Sequence, residues 1–415
     1  MKLLLFMGIF VIFIPLFAQE QHAYQTIEEI LELPDEEIDL GIACLVLAKD
    51  AYPDLQIESF DYVIDYMVER INYLMQGRTD PLVRISMLNS YLYRPGWWND
   101  SITFTYDLGD LKAAKKENQY LNAYISTKKG SCITMPMLYM VLADRLGWPI
   151  KAVRAPKHFF CRYEAEGFDE NNIDPTVGGG YSSNEKYVKD FGIPKKPIEN
   201  GVYLRTLTKK EYLASLLLNN ARHFYERENN LRKAIQLCYI ALKYDSTLSS
   251  AHWNIGSIYY KYARQLEEEM NVQISAEEIV LHSQIRNQNN TIIHPNKKQP
   301  SLTDKIMGEI INKHARLNPQ ASGVKIDKII FDHFTNPQNK NMPPSPNNNS
   351  HQRNYFVAEI SSIKERYIPQ INEAIGRARW HREKAEELGI VLEFPEEFFR
   401  LQQKDIEEFR RTGEY

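Results

Sequence analysis

A thiol, an imidazole and a carboxylate follow one another along the chain as Cys132, His158 and Asp174. In that combination they can attack an acyl carbon. The thiol supplies a thiolate nucleophile, the imidazole takes and returns a proton, and the carboxylate holds the ring in the useful tautomer. Cys132 follows Lys128-Lys129-Gly130-Ser131, a glycine turn that opens a predicted helix. A sulfur there faces the positive end of the helix dipole, which favours the thiolate. Each residue also has a plain structural use. Cysteine is among the most buried residue types, a histidine can serve the core, and an Asp-Pro pair such as Asp174-Pro175 commonly makes a turn.

The chemistry requires a helix to carry Cys132 and two adjacent strands to carry the other two. Ile133, Met137, Leu138, Val141, Leu142 and Leu146 follow a helical period over 133–146, and Gly147 is a suitable stop. Residues 149–155 and 158–165 are short alternating runs divided by Pro156, and 172–174 is a third short strand closed by Pro175 and Gly178-Gly179-Gly180. His158 opens the second strand and Asp174 sits on the third. Neighbouring strands lie about 4.8 Å apart, so side chains sharing a face can meet. Cys161 points to the face opposite His158 and Phe160 and is assigned to the core.

Ahead of this centre, residues 40–50, 60–71 and 83–93 have helical apolar spacing and predict an α-helical N-terminal lobe. A Pro- and Gly-rich stretch at 192–201 predicts a lobe boundary. Beyond it, Leu217, Ala221, Phe224, Ala234 and Ala241, then Trp253, Gly256 and Tyr259, recur at roughly 35 residues, the offset of a tetratricopeptide-like helical repeat. The segmentation is then 1–18, 19–39, 40–200, 205–285, 287–352 and 353–415. The 19–39 segment holds eight carboxylates and no Lys or Arg, and reads as a solvated lead-in with one short helix. The 287–352 segment, rich in Asn, Pro, Lys and Ser, is expected to be a largely disordered insertion with a helix at 302–315. A long helix over 357–388, bent or broken at Pro369, and an acidic-aromatic tail complete the reading.

The chain has 415 residues, 43% of them hydrophobic and 12% aromatic, enough for a sizeable core or two. A net charge of −4 provides no basic footprint for nucleic acid. Residues 1–18 combine Lys2, an apolar run and a small Ala18, the pattern of a secretory signal peptide, so the mature chain is expected to be periplasmic or secreted with no membrane span. Cys44, Cys132, Cys161 and Cys238 lack the close spacing of a zinc or redox motif, and no histidine has ligand spacing. No metal and no cofactor are assigned. A single bridge from Cys44 to Cys161 or Cys238 stays open.

Gly130-Ser131-Cys132, Lys157-His158-Phe159-Phe160-Cys161-Arg162-Tyr163 and Ile173-Asp174-Pro175-Thr176 resemble, in order and context, the Cys, His and Asp motifs of the transglutaminase-like superfamily. The helical lead-in from Leu40, the Tyr120-Leu121-Asn122 segment, the Leu142-Ala143-Asp144-Arg145-Leu146-Gly147-Trp148-Pro149 helix end and the trailing repeat extend the likeness to its SirB1-like branch. The resemblance implies an α+β fold with a papain-like core, a helix packed on an antiparallel sheet, flanked by an α-helical N-terminal lobe and C-terminal tetratricopeptide-like repeats. It implies Cys132 as nucleophile, His158 as proton shuttle and Asp174 as orienting group, with the Cys132 N–H as one oxyanion donor and Asn122 or Tyr120 as candidates for a second. Lys128 and Lys129 either favour the thiolate or face water.

Two functions follow. One is an exported cysteine hydrolase or acyl transferase acting on an amide or peptide, with the repeats presenting a protein partner or substrate. The other is a non-catalytic scaffold that binds partners through the fold and repeats, since members of that branch occur without the nucleophile.

Overall fold

The computed structural model describes residues 26–168, 171–290, 348–392 and 397–413. The leader-like residues 1–18, most of 287–352 and the expected helix at 302–315 lie outside the described residues. The chain divides into two compact units: residues 1–220 with 243–245 and 391–415, and residues 221–242 with 246–390.

The first unit opens with α1 (Ile27–Glu32), closed at its start by a capping box between Thr26 and Glu29. Residues 26–39 are not a simple solvated lead-in, because Ile27, Ile30, Leu31 and Ile38 are buried. Their carboxylates also work: Asp35 accepts from the backbone N–H groups of Lys209 and Lys210, and Glu32 pairs with Lys243. Then come α2 (Leu40–Lys49), α3 (Ile57–Met75) and α4 (Pro81–Tyr93), which form the expected helical lobe. Asp39 caps α2 at the Ile42 N–H and Asp80 caps α4 at the Val83 N–H.

The central layer is α5 (Leu121–Thr127) and α6 (Thr134–Arg145) with two small sheets. In one sheet β1 (Thr105–Tyr106) runs parallel to β2 (Lys129–Gly130). In the other β3 (Ile150–Ala155), β4 (His158–Tyr163) and β5 (Asn172–Ile173) are antiparallel in that order. Ten consecutive residues of α6, Thr134 to Ala143, are buried, which makes it the spine of the unit. Arg145 at its end pairs with Asp39, Asp61 and Asp65 and ties α6 to the lead-in and α3. Pro136 falls in the first helical turn, where its missing N–H costs no intrahelical bond.

The unit continues through α7 (Asn184–Phe191) and the Pro- and Gly-rich stretch, which carries α8 (Lys195–Glu199), into α9 (Lys209–Glu226). The segment after α8 lies along β3: the Leu204 and Leu207 N–H groups donate to the Arg154 and Ala152 carbonyls. Lys243 and Tyr244, at the end of α10 (Leu231–Tyr244), and Asp245 just after it also belong to this unit.

The second unit holds most of α10 and two long helices, α11 (Ser249–Asn290, 42 residues) and α12 (Asn348–Leu388, 41 residues). Ser257 is bonded to Arg382 and Gln273 to Tyr367, so α11 and α12 run antiparallel. Ala263, Leu266, Ile363, Tyr367, Ile371 and Ala374 form their core. Both helices enter the low-complexity stretch expected over 287–352, and α12 is assigned as one helix through Pro369. Finally α13 (Glu397–Thr412) returns the chain to the first unit.

Candidate active site

The β-hairpin that presents His158 is a direct product of its sequence. Ala155 pairs with His158 across Pro156 and Lys157. Proline sets the first turn position, and Lys157 takes a left-handed φ of 50° at the second, where glycine is the usual choice. Cys161 pairs with Ile173, which places Asp174 opposite Phe160 and diagonal to His158 on the same face. A slip of one residue would send Asp174 to the other side of the sheet. In the observed register the His158 Nε2 lies 3.0 Å from the Asp174 Oδ2. Cys161 faces away and is wholly buried.

Asp174 is held as tightly as it holds. The Thr176 hydroxyl and backbone N–H donate to Oδ1 at 2.7 and 3.0 Å, and the Tyr187 hydroxyl donates to Oδ2 at 3.0 Å. Tyr187 stacks on Phe160 with ring centroids 4.1 Å apart, so α7 is locked to β4 beside the histidine. Thr176 and Tyr187 are partners of Asp174 that sequence reading missed. A Thr two residues after an Asp-Pro start has a detectable turn signature; nothing local marks Tyr187. The turn after Thr176 closes where the Gly179 N–H donates to the Asp174 carbonyl. Asn89 of α4 secures it by donating to the Gly179 carbonyl at 2.9 Å.

The electrostatics follow from this pairing. Burial alone would lower the His158 pKa, but the Asp174 charge and hydrogen bond outweigh it, with a further contribution from Cys132, and push it up to about 10. Burial alone would raise Asp174, but the His158 charge and the hydrogen bonds from His158 and Thr176 hold it below the usual carboxylate range. The pair is thus an imidazolium beside a carboxylate at neutral pH. The second ring nitrogen, Nδ1, is buried without a hydrogen-bond partner among the described residues.

Cys132 lies just before α6, not on it: the helix starts at Thr134 with Ile133 as its N-cap. The turn is pinned by Ser131, whose hydroxyl donates to the Asn118 carbonyl at 2.6 Å and accepts from the Ile133 N–H at 3.0 Å. A Cβ on Gly130 would overlap the Tyr124 ring and the Thr134 hydroxyl, so only glycine fits there. Gly130→Ala is therefore expected to destabilise the fold by about 1–3 kcal/mol, read by denaturant unfolding. The Cys132 thiol lies 3.5 Å from the Lys157 carbonyl, in the turn next to His158.

Other sequence assignments resolve differently. Tyr120 packs with Tyr52, Ala48 and Ala51 in a small hydrophobic cluster. Asn122 lies buried on α5 with its side-chain oxygen unbonded among the described residues. Tyr106 of β1 lies near Cys132, pairing with Gly130 two residues before it, and its hydroxyl donates to the Leu111 carbonyl at 3.2 Å. Lys128 does not serve the thiol: it ends α5 in a left-handed conformation, donates to the Ile125 carbonyl and lies over the Phe104 ring. Lys129 is exposed. All four cysteines are free and buried, so neither candidate bridge forms. Among the described residues no group of three or more His, Cys, Asp or Glu side chains is placed to hold a metal, and no helix is long and apolar enough to cross a membrane.

Comparison with known proteins agrees with the centre of the first unit. The sequence profile of the family described as "Transglutaminase-like superfamily" matches residues 59–214. Proteins called "UPF0162 protein" from two strains of Xylella fastidiosa, Temecula1 and 9a5c, are each 27% identical over 128 residues. That alignment covers 31% of this chain and 43% of the relative, so the chain spans under half the length of the curated relatives it matches. No solved structure matches. Cys132, His158 and Asp174 all fall inside the matched span, and residues 59–214, with a buried helix packed on a small antiparallel sheet, form a transglutaminase-like superfamily domain of the α+β class.

Proposed function

We propose that this chain is an exported cysteine-dependent hydrolase or acyl transferase that acts on an amide or peptide through Cys132, His158 and Asp174. The observation that carries the reading is the His158–Asp174 pair at 3.0 Å, with the other ring nitrogen unbonded and Cys132 acting on the same ring. In the reaction Cys132 adds to the acyl carbon as a thiolate, and His158 gives its proton to the leaving amine. Water or a second amine then takes the acyl group from sulfur, with His158 receiving the proton that this nucleophile loses. The Cys132 N–H stabilises the oxyanion. Export is part of the proposal and rests on the composition of residues 1–18. The SirB1-like affiliation and a tetratricopeptide-like role for the helices after Lys209, as a holder of protein or peptide, belong to it as well.

A second reading, a non-catalytic scaffold, is favoured by one observation. The cleft that reaches His158 and Asp174 has no Cys132 in its lining, and the thiol is turned to a backbone carbonyl. Thiol chemistry separates the two. With a thiolate–imidazolium pair, alkylation of Cys132 persists well below pH 8, and His158→Ala removes that excess. An alkylation profile matching an ordinary thiol of pKa about 8.5 in the unaltered chain would sink the enzymatic reading.

A further inference from the structure

Within the first unit, the acyl-transfer reading leaves α13 without a role, although the helix lies across the site. Gln402, Asp405, Ile406 and Phe409 recur at helical spacing and turn one face inward. Leu401, Gln402 and Asp405 share a cleft with His158, Asp174 and Tyr187. Asp405 pairs with Lys186 of α7 at 3.6 Å. Further along, the Phe409 ring presses on Gly178, four residues after Asp174. Gly178 has a φ of 74°, and a Cβ there would collide with that ring, so the turn is shaped both for its own conformation and to receive the phenylalanine. The Arg410 guanidinium then donates to the Tyr106 carbonyl, on the residue that pairs with Gly130, two residues before Cys132. The helix thus spans the site from the His158–Asp174 side to the Cys132 side.

Its attachment is narrow. Ile406 is the one fully buried residue among its described side chains, and the Gln402 Oε1 is buried without a hydrogen-bond partner. Among its described side chains the helix is held by Ile406, the Phe409 ring and polar contacts at Asp405 and Arg410, an attachment of the kind found in elements that open locally before the core does.

We propose that α13 is a displaceable cap: it closes the Cys132 site in the resting chain, and an acyl substrate gains access when the helix leaves Gly178 and the His158 cleft. What the cap excludes rests on the acyl-transfer reading; the cap itself does not.

The test uses the full chain carrying Ile406→Asp, with iodoacetamide as the probe and mass spectrometry to assign alkylation to each cysteine. Cys132 is expected to react about tenfold faster or more, while Cys44 on α2 and Cys161 on β4, both buried, and Cys238 of the second unit stay unchanged and report that each unit's core is intact. Phe409→Ala is expected to accelerate Cys132 in the same direction by less. If all four cysteines accelerate in Ile406→Asp, the Phe409→Ala chain decides. An unchanged Cys132 rate, in Ile406→Asp with an intact core or in Phe409→Ala, overturns the cap. The two readings fail separately. Acceleration with the pH profile of an ordinary thiol keeps the cap and removes the acyl-transfer chemistry. A low-pH thiolate whose rate no α13 variant alters keeps the chemistry and removes the cap.

Discussion

Asp174→Asn is expected to cut the alkylation rate of Cys132 at pH 6 by about 10- to 100-fold, with little change at pH 9 or above. The carboxylate accepts from the His158 ring, the Tyr187 hydroxyl, and both the hydroxyl and the N–H of Thr176. An amide keeps the shape but loses the charge that raises the His158 pKa, and its NH2 group can face the Nε2 proton donor to donor. The imidazolium is then lost near neutrality, and Cys132 loses the positive charge beside it. The higher intrinsic nucleophilicity of an ordinary thiolate offsets part of the loss. The same change alters stability in a pH-dependent way. His158 has its pKa raised to about 10, so its contribution is complete below its unfolded value of about 6.5 and disappears as pH rises through about 10. Asp174 has its pKa lowered, so its contribution is complete above its unfolded value of about 3.9 and disappears as pH falls through the folded value. The difference in thermal midpoint between the parent and Asp174→Asn is therefore largest between about pH 4 and pH 6.5 and shrinks toward pH 10. A midpoint difference that stays constant from pH 5 to pH 10 in calorimetry would rule out the charged pair.

Asp245→Ala is expected to destabilise the first unit by about 3–5 kcal/mol, more than removal of its partner together with it. Arg154 of β3 is 6% exposed and Asp245 2%, and they pair at 2.7 Å. The Arg154 guanidinium also donates to the Val202 carbonyl at 3.0 Å and to the Ser215 hydroxyl at 2.9 Å. Arg205 adds a second contact to Asp245 at 3.4 Å. This cluster fastens β3 to the segment after α8, and β3 is the strand against which His158 is registered. Removing the carboxylate alone leaves a buried guanidinium without its counter-charge, whereas Arg154→Met with Asp245→Leu removes both charges and fills the space. Denaturant unfolding of the two single variants and the double variant checks this. A double variant as unstable as the sum of the singles would show that the charges do not act as a pair.

How much of this was legible in the sequence differs residue by residue. The alternation around His158, the proline that splits the hairpin and the helical spacing after Cys132 are local patterns with fixed periods. They foretold β3, β4 and α6, and with them that Phe160 and His158 share a face while Cys161 goes to the core. The placement of Cys132 was less legible, because apolar periodicity cannot say whether a helix starts at residue 132 or 134, and the answer comes from Ser131 bonding across the turn to Asn118. Of the lysines before Cys132, exposed Lys129 faces water, one of the two roles its charge allows, whereas the direction of Lys128 is set by its left-handed backbone and the Phe104 ring. The acidic lead-in looked solvated because its carboxylates are dense, yet their partners, Lys209, Arg145 and Lys243, lie one hundred or more residues away.

Sequence alone determined the order of thiol, imidazole and carboxylate, and the helix and strands that carry them, since backbone conformation answers to neighbours within a turn or a pleat. Only the tertiary structure decided which side chains meet: Tyr187 and Thr176 on Asp174, Tyr106 on Cys132, and α13 across all three. These contacts join segments from 26 to 304 residues apart, apart from Thr176 and Tyr187, and depend on strand register, helix packing and chain path, which no local period encodes. The order of these three residues is therefore written in the chain, but the hydrogen bonds and ring contacts around them are set by packing.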